Sequence, residues 1–121
     1  MVLSVAMKTR IHCDEPTLHR MNERDWDQVA DTFEKEIFNV PANDTKGHIK
    51  HWVERLAAPA ATITDLGCGV GRTLPMVSDH YATVYAVDVS SECLAIAERD
   101  CADRKNITYV HADLSTDKNG Y

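Results

Sequence analysis

The fold of this chain is decided by the stretch ATITDLGCGVGR, residues 61–72. An apolar, β-branched run ends near an acid and is followed by three glycines at alternate positions, which is typical of a strand that enters a tight loop before a helix. Because Gly67, Gly69 and Gly71 have no Cβ, the backbone there can adopt positive φ and lie against a ligand. The amides of the following helix would point towards that ligand. The pattern predicts a loop that holds a nucleotide-like cofactor.

Two more strands are predicted downstream, at residues 83–89 and 107–111, and helices are predicted at 72–80 and 91–103. Strands that alternate with helices form right-handed βαβ units around a parallel sheet. We therefore expect an α/β fold with a Rossmann-like parallel sheet that follows a set of N-terminal helices.

The first of these N-terminal helices is predicted from Asp25 to about Phe38, with Asp25 and Gln28 in a capping-box spacing. Pro41 disfavours helical geometry just beyond its end. Apolar residues recur on one face of this helix, and core packing is their simplest interpretation, although the first and fourth of them could also close a site from above. They are Trp26, Val29, Ala30, Phe33 and Ile37.

A second helix is predicted after Asn43, Asp44 or Thr45, any of which can cap it, and Pro59 ends it. Its apolar stripe is Ile49, Trp52, Val53, Leu56 and Ala57, in which we expect Trp52 to be core. The resulting organisation is an N-terminal arm at 1–22, a helical cover at 23–58 and a cofactor-binding half at 59–121.

Composition narrows the classes of function. The 121 residues suffice for one modest domain, and the net charge of −6 argues against nucleic acid as the main partner. No apolar run is long enough to predict a membrane span. The four cysteines form no C-x-x-C pair, which favours a reducing cytoplasm. His48 and His51 form an H-x-x-H pair without a further ligand at suitable spacing, so we predict no metal site.

An acid stands at the end of each predicted strand: Asp65, Asp88 and Asp113. The carboxyl ends of parallel strands meet at one edge of a sheet, where open α/β sheets bind their ligands. Asp88 follows Gly71 by seventeen residues, a position suited to accept both hydroxyls of a ribose. Each feature alone has a structural alternative, since glycines serve ligand-free turns and acids favour helix N-termini.

The three motifs together resemble those of the class I S-adenosylmethionine-dependent methyltransferases. Residues 65–71, DLGCGVG, resemble motif I of that family; 87–90, VDVS, resemble the second motif; and 112–114, ADL, resemble the third. The likeness covers about residues 60–115. A weaker likeness, at 26–30 and 38–49, is to the helical N-terminal cover of members that act on small molecules.

The resemblance implies S-adenosyl-L-methionine as the cofactor and assigns roles around the loop. Gly67, Gly69 and Gly71 would pass beneath its methionine part and ribose. Asp65 would lie near its amino group, and Cys68 would be a small loop residue rather than a nucleophile.

At the other end of the cofactor, the resemblance implies that Asp88 holds the ribose hydroxyls and that Val89 packs on the adenine face. Asp113 would accept the adenine amino proton, and Leu114 would offer its backbone N–H to the ring. No catalytic residue is identified, because transfer from an activated sulfonium requires alignment and exclusion of water more than a base.

The family pattern continues with a fourth strand beside the first, whereas this chain ends at Tyr121. We therefore expect a partial sheet of three strands in order 3-2-1 in which the strand at 61–66 has an exposed edge. Such edges favour self-association. We interpret the chain as the N-terminal part of a longer protein and expect it to be inactive alone.

The leading prediction is the cofactor-binding part of a cytoplasmic methyltransferase that acts on a small molecule. One alternative is half of a nicotinamide- or flavin-binding oxidoreductase, but a G-x-G-x-x-G loop would place its third glycine at position 72, which is Arg72. The other is a catalytically silent, methyltransferase-like partner subunit.

Overall fold

The computed structural model describes residues 2–4, 21–37 and 39–115, which form an α/β fold. The elements in chain order are β1 (Val2–Ser4), α1 (Glu23–Val29), a 3-10 turn (Ala30–Thr32), α2 (Phe33–Glu36), α3 (Val40–Asn43), α4 (His48–Leu56), β2 (Thr62–Leu66), α5 (Leu74–Ser78), β3 (Thr83–Asp88), α6 (Ser91–Asp100) and β4 (Ile107–His111).

The strands form one parallel sheet in the order β1-β2-β3-β4. The three predicted strands and their relative order are confirmed. The sequence did not predict β1, which pairs with β2 from Val2↔Thr64 to Ser4↔Leu66. The β2 edge that we expected to be exposed therefore has a neighbour along its last three residues, which removes much of the reason to expect self-association there.

One face of the sheet carries the main core. Ile63, Val84 and Ala86 are fully buried there, and side chains of α4, α5 and α6, such as Val53 and Leu74, pack against them. Residues on the opposite face alternate with these, as the two-residue period of a strand requires. Parallel strands share their direction, so this packing brings the ends of β2, β3 and β4 together at one edge.

The helix predicted from Asp25 to Phe38 is broken in the structure. It begins two residues earlier, because Asn22 accepts a hydrogen bond from the Asp25 amide while the Asp25 carboxylate accepts one from the Asn22 amide. The 3-10 turn then separates α1 from α2, and Ile37 is extended. Phe38 lies outside the described residues. The break lets successive apolar side chains face different neighbours.

Gly47 is the N-cap residue of α4, and Asp44, one of the three residues predicted to cap this helix, binds its first amides. The Asp44 carboxylate accepts hydrogen bonds from the amides of the first three residues of the helix at 2.8–3.2 Å. Val53 is fully buried, whereas Trp52 is 50% exposed and lies 5.5 Å from the Arg55 guanidinium. The expectation that Trp52 is core is wrong, because consecutive helical residues point about 100° apart and Val53 faces the sheet.

Within the described ranges, no helix has both the length and the apolar character needed to cross a bilayer. The three-part division into arm, cover and cofactor-binding half stays a prediction, and most of residues 1–22 lies outside the described ranges.

Candidate cofactor site

The glycine loop joins β2 to α5 and is held by its own amides. Gly67, Gly69 and Gly71 have φ of +76°, +53° and +82°, all left-handed. The Gly67 and Cys68 amides donate to the Val87 carbonyl at 2.7 and 3.1 Å, and the Gly71 amide donates to the Cys68 carbonyl at 3.0 Å. These amides therefore bind protein rather than ligand. What the glycines provide is positive φ and a loop surface without side chains.

Asp88, the last residue of β3, links this loop to the next turn. One carboxylate oxygen accepts the Gly69 amide at 2.8 Å, and the other accepts the Ser90 amide at 2.9 Å. A carboxylate has about four acceptor positions, so each oxygen retains capacity for another donor. Asp88 is thus oriented by the backbone on both sides and can accept a pair of hydroxyls.

Asp65, near the end of β2, is almost fully buried, with 5% of its surface exposed. Its carboxylate accepts a hydrogen bond from the hydroxyl of Thr73, which is not among the predicted site residues. Burial raises the pKa of Asp65, the Thr73 hydrogen bond partly offsets that rise, and the nearby charge of Asp88 raises the pKa further. A buried carboxylate that faces a second one favours a cationic group beside it.

This burial makes Asp65→Asn a stabilising change. The raised pKa means that the folded state holds the proton more tightly than the unfolded chain, whose value is near 3.8. Stability is therefore lost as pH rises through the folded-state pKa. Asparagine has no charge to bury and can still accept from Thr73, so at pH 7 we expect the variant to be more stable than the parent.

Thermal unfolding between pH 3 and pH 8 measures this gain. The advantage should disappear below about pH 3.8, where the carboxyl is protonated in both states. Asp103→Asn, at an exposed carboxylate away from the loop, is the control and should change little at any pH. An Asp65→Asn variant less stable than the parent at pH 7 would show that the ionised group is stabilising.

Cys68 lies inside the loop and is buried. Burial raises the pKa of its thiol, and the nearby carboxylates of Asp65 and Asp88 raise it further. A thiol in such surroundings stays neutral and is a poor nucleophile. This environment suits a small loop residue better than a nucleophile, and a contact between Cys68 and the cofactor stays a prediction.

The loop and the strand ends border a cavity of about 390 Å³, within the range of small-molecule sites. Eight of the nine predicted site residues line it: Asp65, Gly67, Cys68, Gly69, Asp88, Val89, Asp113 and Leu114. The segment that we expected to form a helical cover also lines it, through Trp26, Phe33, Ile37, Asn39, Val40 and Pro41. Trp26 and Phe33 therefore border the cavity, and Phe33 also packs against the buried cluster of Ala30, Val70 and Cys93, as expected of a core residue.

The three loop glycines face different surroundings. A Cβ added at Gly67 would meet no atom within 4 Å, whereas one at Gly69 would lie 2.6 Å from Cζ of Phe33. At Gly71 it would lie 2.8 Å from Leu74 and 2.9 Å from Ala97. Gly71 does not line the cavity, and its missing side chain makes room for α5 and α6. Gly71 therefore has a packing role, and its contact with the cofactor stays a prediction.

The residues that follow β4 also line the cavity. One carboxylate oxygen of Asp113 accepts hydrogen bonds from the Ser115 amide at 2.9 Å and the Ser115 hydroxyl at 2.6 Å. Leu114 is 45% exposed, and it lines the cavity together with Val89 and Asp88. Nothing in the described ranges groups three or more His, Cys, Asp or Glu side chains so that they could hold a metal ion.

The cavity lies at the carboxyl edge of a parallel sheet, bordered by a glycine loop and acidic strand ends, which is where α/β folds of the Rossmann-like class bind their ligands. Residues 63–119 match the family model described as a methyltransferase domain. The match covers 57 of the 121 residues and includes the glycine loop, so this part of the chain is similar to methyltransferase domains. No curated protein matches the chain significantly.

Solved structures with the same fold include DhpI in complex with S-adenosylhomocysteine, with TM-score 0.60, 20% identity and coverage of 77% of this chain and 44% of that one. Phosphoethanolamine N-methyltransferase 1 from Haemonchus contortus has TM-score 0.57, 16% identity and coverage of 77% and 22%. An rRNA methylase from Streptococcus thermophilus has TM-score 0.51, 17% identity and coverage of 53% and 40%. The chain thus spans less than half the length of each of these proteins.

Proposed function

We propose that this chain is the cofactor-binding part of an S-adenosyl-L-methionine-dependent methyltransferase. Asp88 would accept the ribose hydroxyls, Val89 would pack on the adenine, and Asp113 with the Leu114 amide would bind its edge. Gly67 and Gly69 would lie beneath the methionine part and ribose. The solved structures of DhpI and phosphoethanolamine N-methyltransferase 1 that share this fold were determined with S-adenosylhomocysteine.

The observation that carries this proposal is the position of Asp88. Its two oxygens are held by the Gly69 and Ser90 amides, and it faces the cavity between the loop and Val89. A carboxylate fixed in this way can accept two vicinal hydroxyls without reorganisation, which favours a ribose. The open space at Gly67 leaves room for the part of the cofactor that continues from the ribose.

The charges in the lining favour this cofactor over a dinucleotide. Three carboxylates, of Asp65, Asp88 and Asp113, line the cavity together with one guanidinium, that of Arg72. S-adenosylmethionine carries an ammonium and a sulfonium, which such a lining attracts, whereas a dinucleotide carries two phosphates, which it repels. The nicotinamide or flavin alternative is therefore the weaker one.

When bound, the cofactor supplies a methyl group already activated by its positive sulfur. The protein's task is to align the methyl group with an acceptor and to exclude water. The cover borders the same cavity through Trp26 and Phe33, and the Phe33 ring lies against Gly69 of the loop. No catalytic residue is proposed.

We propose a small-molecule acceptor and a cytoplasmic location. The net charge of −6 disfavours close approach of a nucleic-acid backbone, although some proteins of this fold are described as rRNA methylases. The described cysteines, Cys68, Cys93 and Cys101, are free and buried, as suits a reducing compartment. A silent partner subunit would have the same cavity without the transfer.

Isothermal titration calorimetry on the chain, with S-adenosylhomocysteine and NAD in separate titrations, tests the proposal. We expect saturable binding of the first with one site per chain and no heat of binding from NAD. Binding of NAD alone would overturn the proposal in favour of the oxidoreductase alternative. A methyl-transfer assay with small-molecule acceptors then separates an enzyme from a silent subunit.

A further inference from the structure

The cover helix α1 contacts the turn that follows Asp88. One oxygen of the Asp27 carboxylate accepts a hydrogen bond from the Ser90 hydroxyl at 2.5 Å and another from the Glu92 amide at 3.2 Å. The donors belong to the N-terminal end of α6, sixty-three and sixty-five residues away in sequence. Asp27 therefore joins the helical cover to the strand–helix turn of the cofactor site.

Ser90 connects this contact to Asp88. It is fully buried, and its hydroxyl also accepts a hydrogen bond from the Cys93 amide at 3.1 Å. Its own amide donates to the Asp88 carboxylate at 2.9 Å. The hydroxyl is thus fixed between Asp27 and Cys93, and the amide of the same residue orients the carboxylate that would meet the ribose.

We propose that Asp27 is a positioning residue for ribose recognition. By holding the Ser90 hydroxyl, it fixes the turn whose amide sets the direction of Asp88, although it does not itself line the cofactor cavity. The inference rests on the proposed function, because it assumes that Asp88 accepts the ribose hydroxyls.

The same contact couples the cover to the site. Trp26, the neighbour of Asp27 on α1, lines the cavity, so α1 must be docked for Asp27 to reach Ser90 and for Trp26 to close the cavity. Glu23 makes a second contact from α1 to the sheet, at 2.9 Å from Nε2 of His111, which also lies 2.9 Å from the Val89 carbonyl; this contact does not involve the Ser90 hydroxyl or amide. Glu23 therefore offers a control for docking alone.

The test compares binding of S-adenosylhomocysteine with binding of its 2′-deoxy counterpart. The ratio of the two affinities reports how well Asp88 meets the ribose, whereas a general loss of stability lowers both affinities together. In the parent chain we expect a ratio of about 10 to 100, the value of a hydrogen bond to a charged group. Asp27→Ala should reduce the ratio to about 3 or less, and Asp27→Asn, which keeps an acceptor oxygen, should retain it.

Glu23→Ala should keep the parent ratio, because it weakens docking without touching Ser90. If Asp27→Ala does not fold, Ser90→Ala removes the hydroxyl that donates to Asp27 and keeps the amide that donates to Asp88. This variant should lower the affinity ratio as well. A parent-like ratio in whichever of these variants folds would overturn the inference. A parent chain that binds neither compound would instead refute the proposed function. If Asp88→Ala lowers the affinity ratio but Asp27→Ala and Ser90→Ala do not, the role of Asp27 is refuted and the proposed function is retained.

Discussion

Replacing Asp88 with alanine should weaken binding of S-adenosylhomocysteine by about 1.5 to 3 kcal/mol, or roughly 10- to 100-fold. The change removes the carboxylate that would accept the ribose hydroxyls. It also leaves the Gly69 and Ser90 amides without their acceptor, so the loop and the turn lose the group that holds them together. Calorimetric titration at pH 7 measures the loss directly.

Two further variants separate these effects. Asp88→Asn keeps one acceptor oxygen but has no charge, so we expect an intermediate loss. Asp103→Asn removes one negative charge, as Asp88→Asn does, but at an exposed position outside the cavity. This variant should bind S-adenosylhomocysteine like the parent. An Asp88→Ala chain that folds and binds with unchanged affinity would remove Asp88 from the site.

The largest effect on stability is expected at Gly71. Alanine there must adopt a φ of +82° and must place its Cβ within 3 Å of both Leu74 and Ala97. The left-handed backbone costs about 1–2 kcal/mol and overpacking typically 1–3 kcal/mol, so Gly71→Ala should lose roughly 3 kcal/mol of the free energy of unfolding. Denaturant unfolding monitored by circular dichroism measures the difference.

Gly47 provides the matched control. Its φ of +68° is also left-handed, but a Cβ added there meets no atom within 4 Å. Gly47→Ala should therefore lose only the backbone contribution, about 1–2 kcal/mol. Equal losses in the two variants would show that the contacts of Gly71 with α5 and α6 contribute nothing.

The part of the fold that forms the cofactor cavity could be predicted from the sequence because its signals are local. The strands at 62–66, 83–88 and 107–111 are short apolar runs with turn residues after them, and parallel pairing places their ends together. The three glycines indicate positive φ directly, and all three adopt it.

The features that were missed depend on contacts between distant segments. Strand β1 is defined by its pairing with β2, about sixty residues away in sequence. Val2–Ser4 alone is too short for its sequence to predict a strand. The link from Asp27 to Ser90 likewise joins residues that no spacing rule connects. Trp52 has the hydrophobicity of a core residue, and only the packing of α4 shows that Val53 takes that place.

The sequence pattern does not distinguish the roles of the individual loop residues, whereas the structure does. Gly67, Gly69 and Gly71 are equivalent by pattern, but only the first faces open space, and the third packs against α6. Asp65 was expected to lie near the cofactor amino group, and the structure adds its hydrogen bond with Thr73. A threonine eight residues after an acid carries no signal, because the loop between them sets the distance.

The most direct measurement of the central claim is a crystal structure of this chain with S-adenosylhomocysteine. Our account predicts the ribose hydroxyls within hydrogen-bond distance of the Asp88 carboxylate, the adenine between Val89 and Asp113, and the homocysteine part beside Gly67. A nucleoside bound elsewhere, with Asp88 contacting only the Gly69 and Ser90 amides, would contradict it.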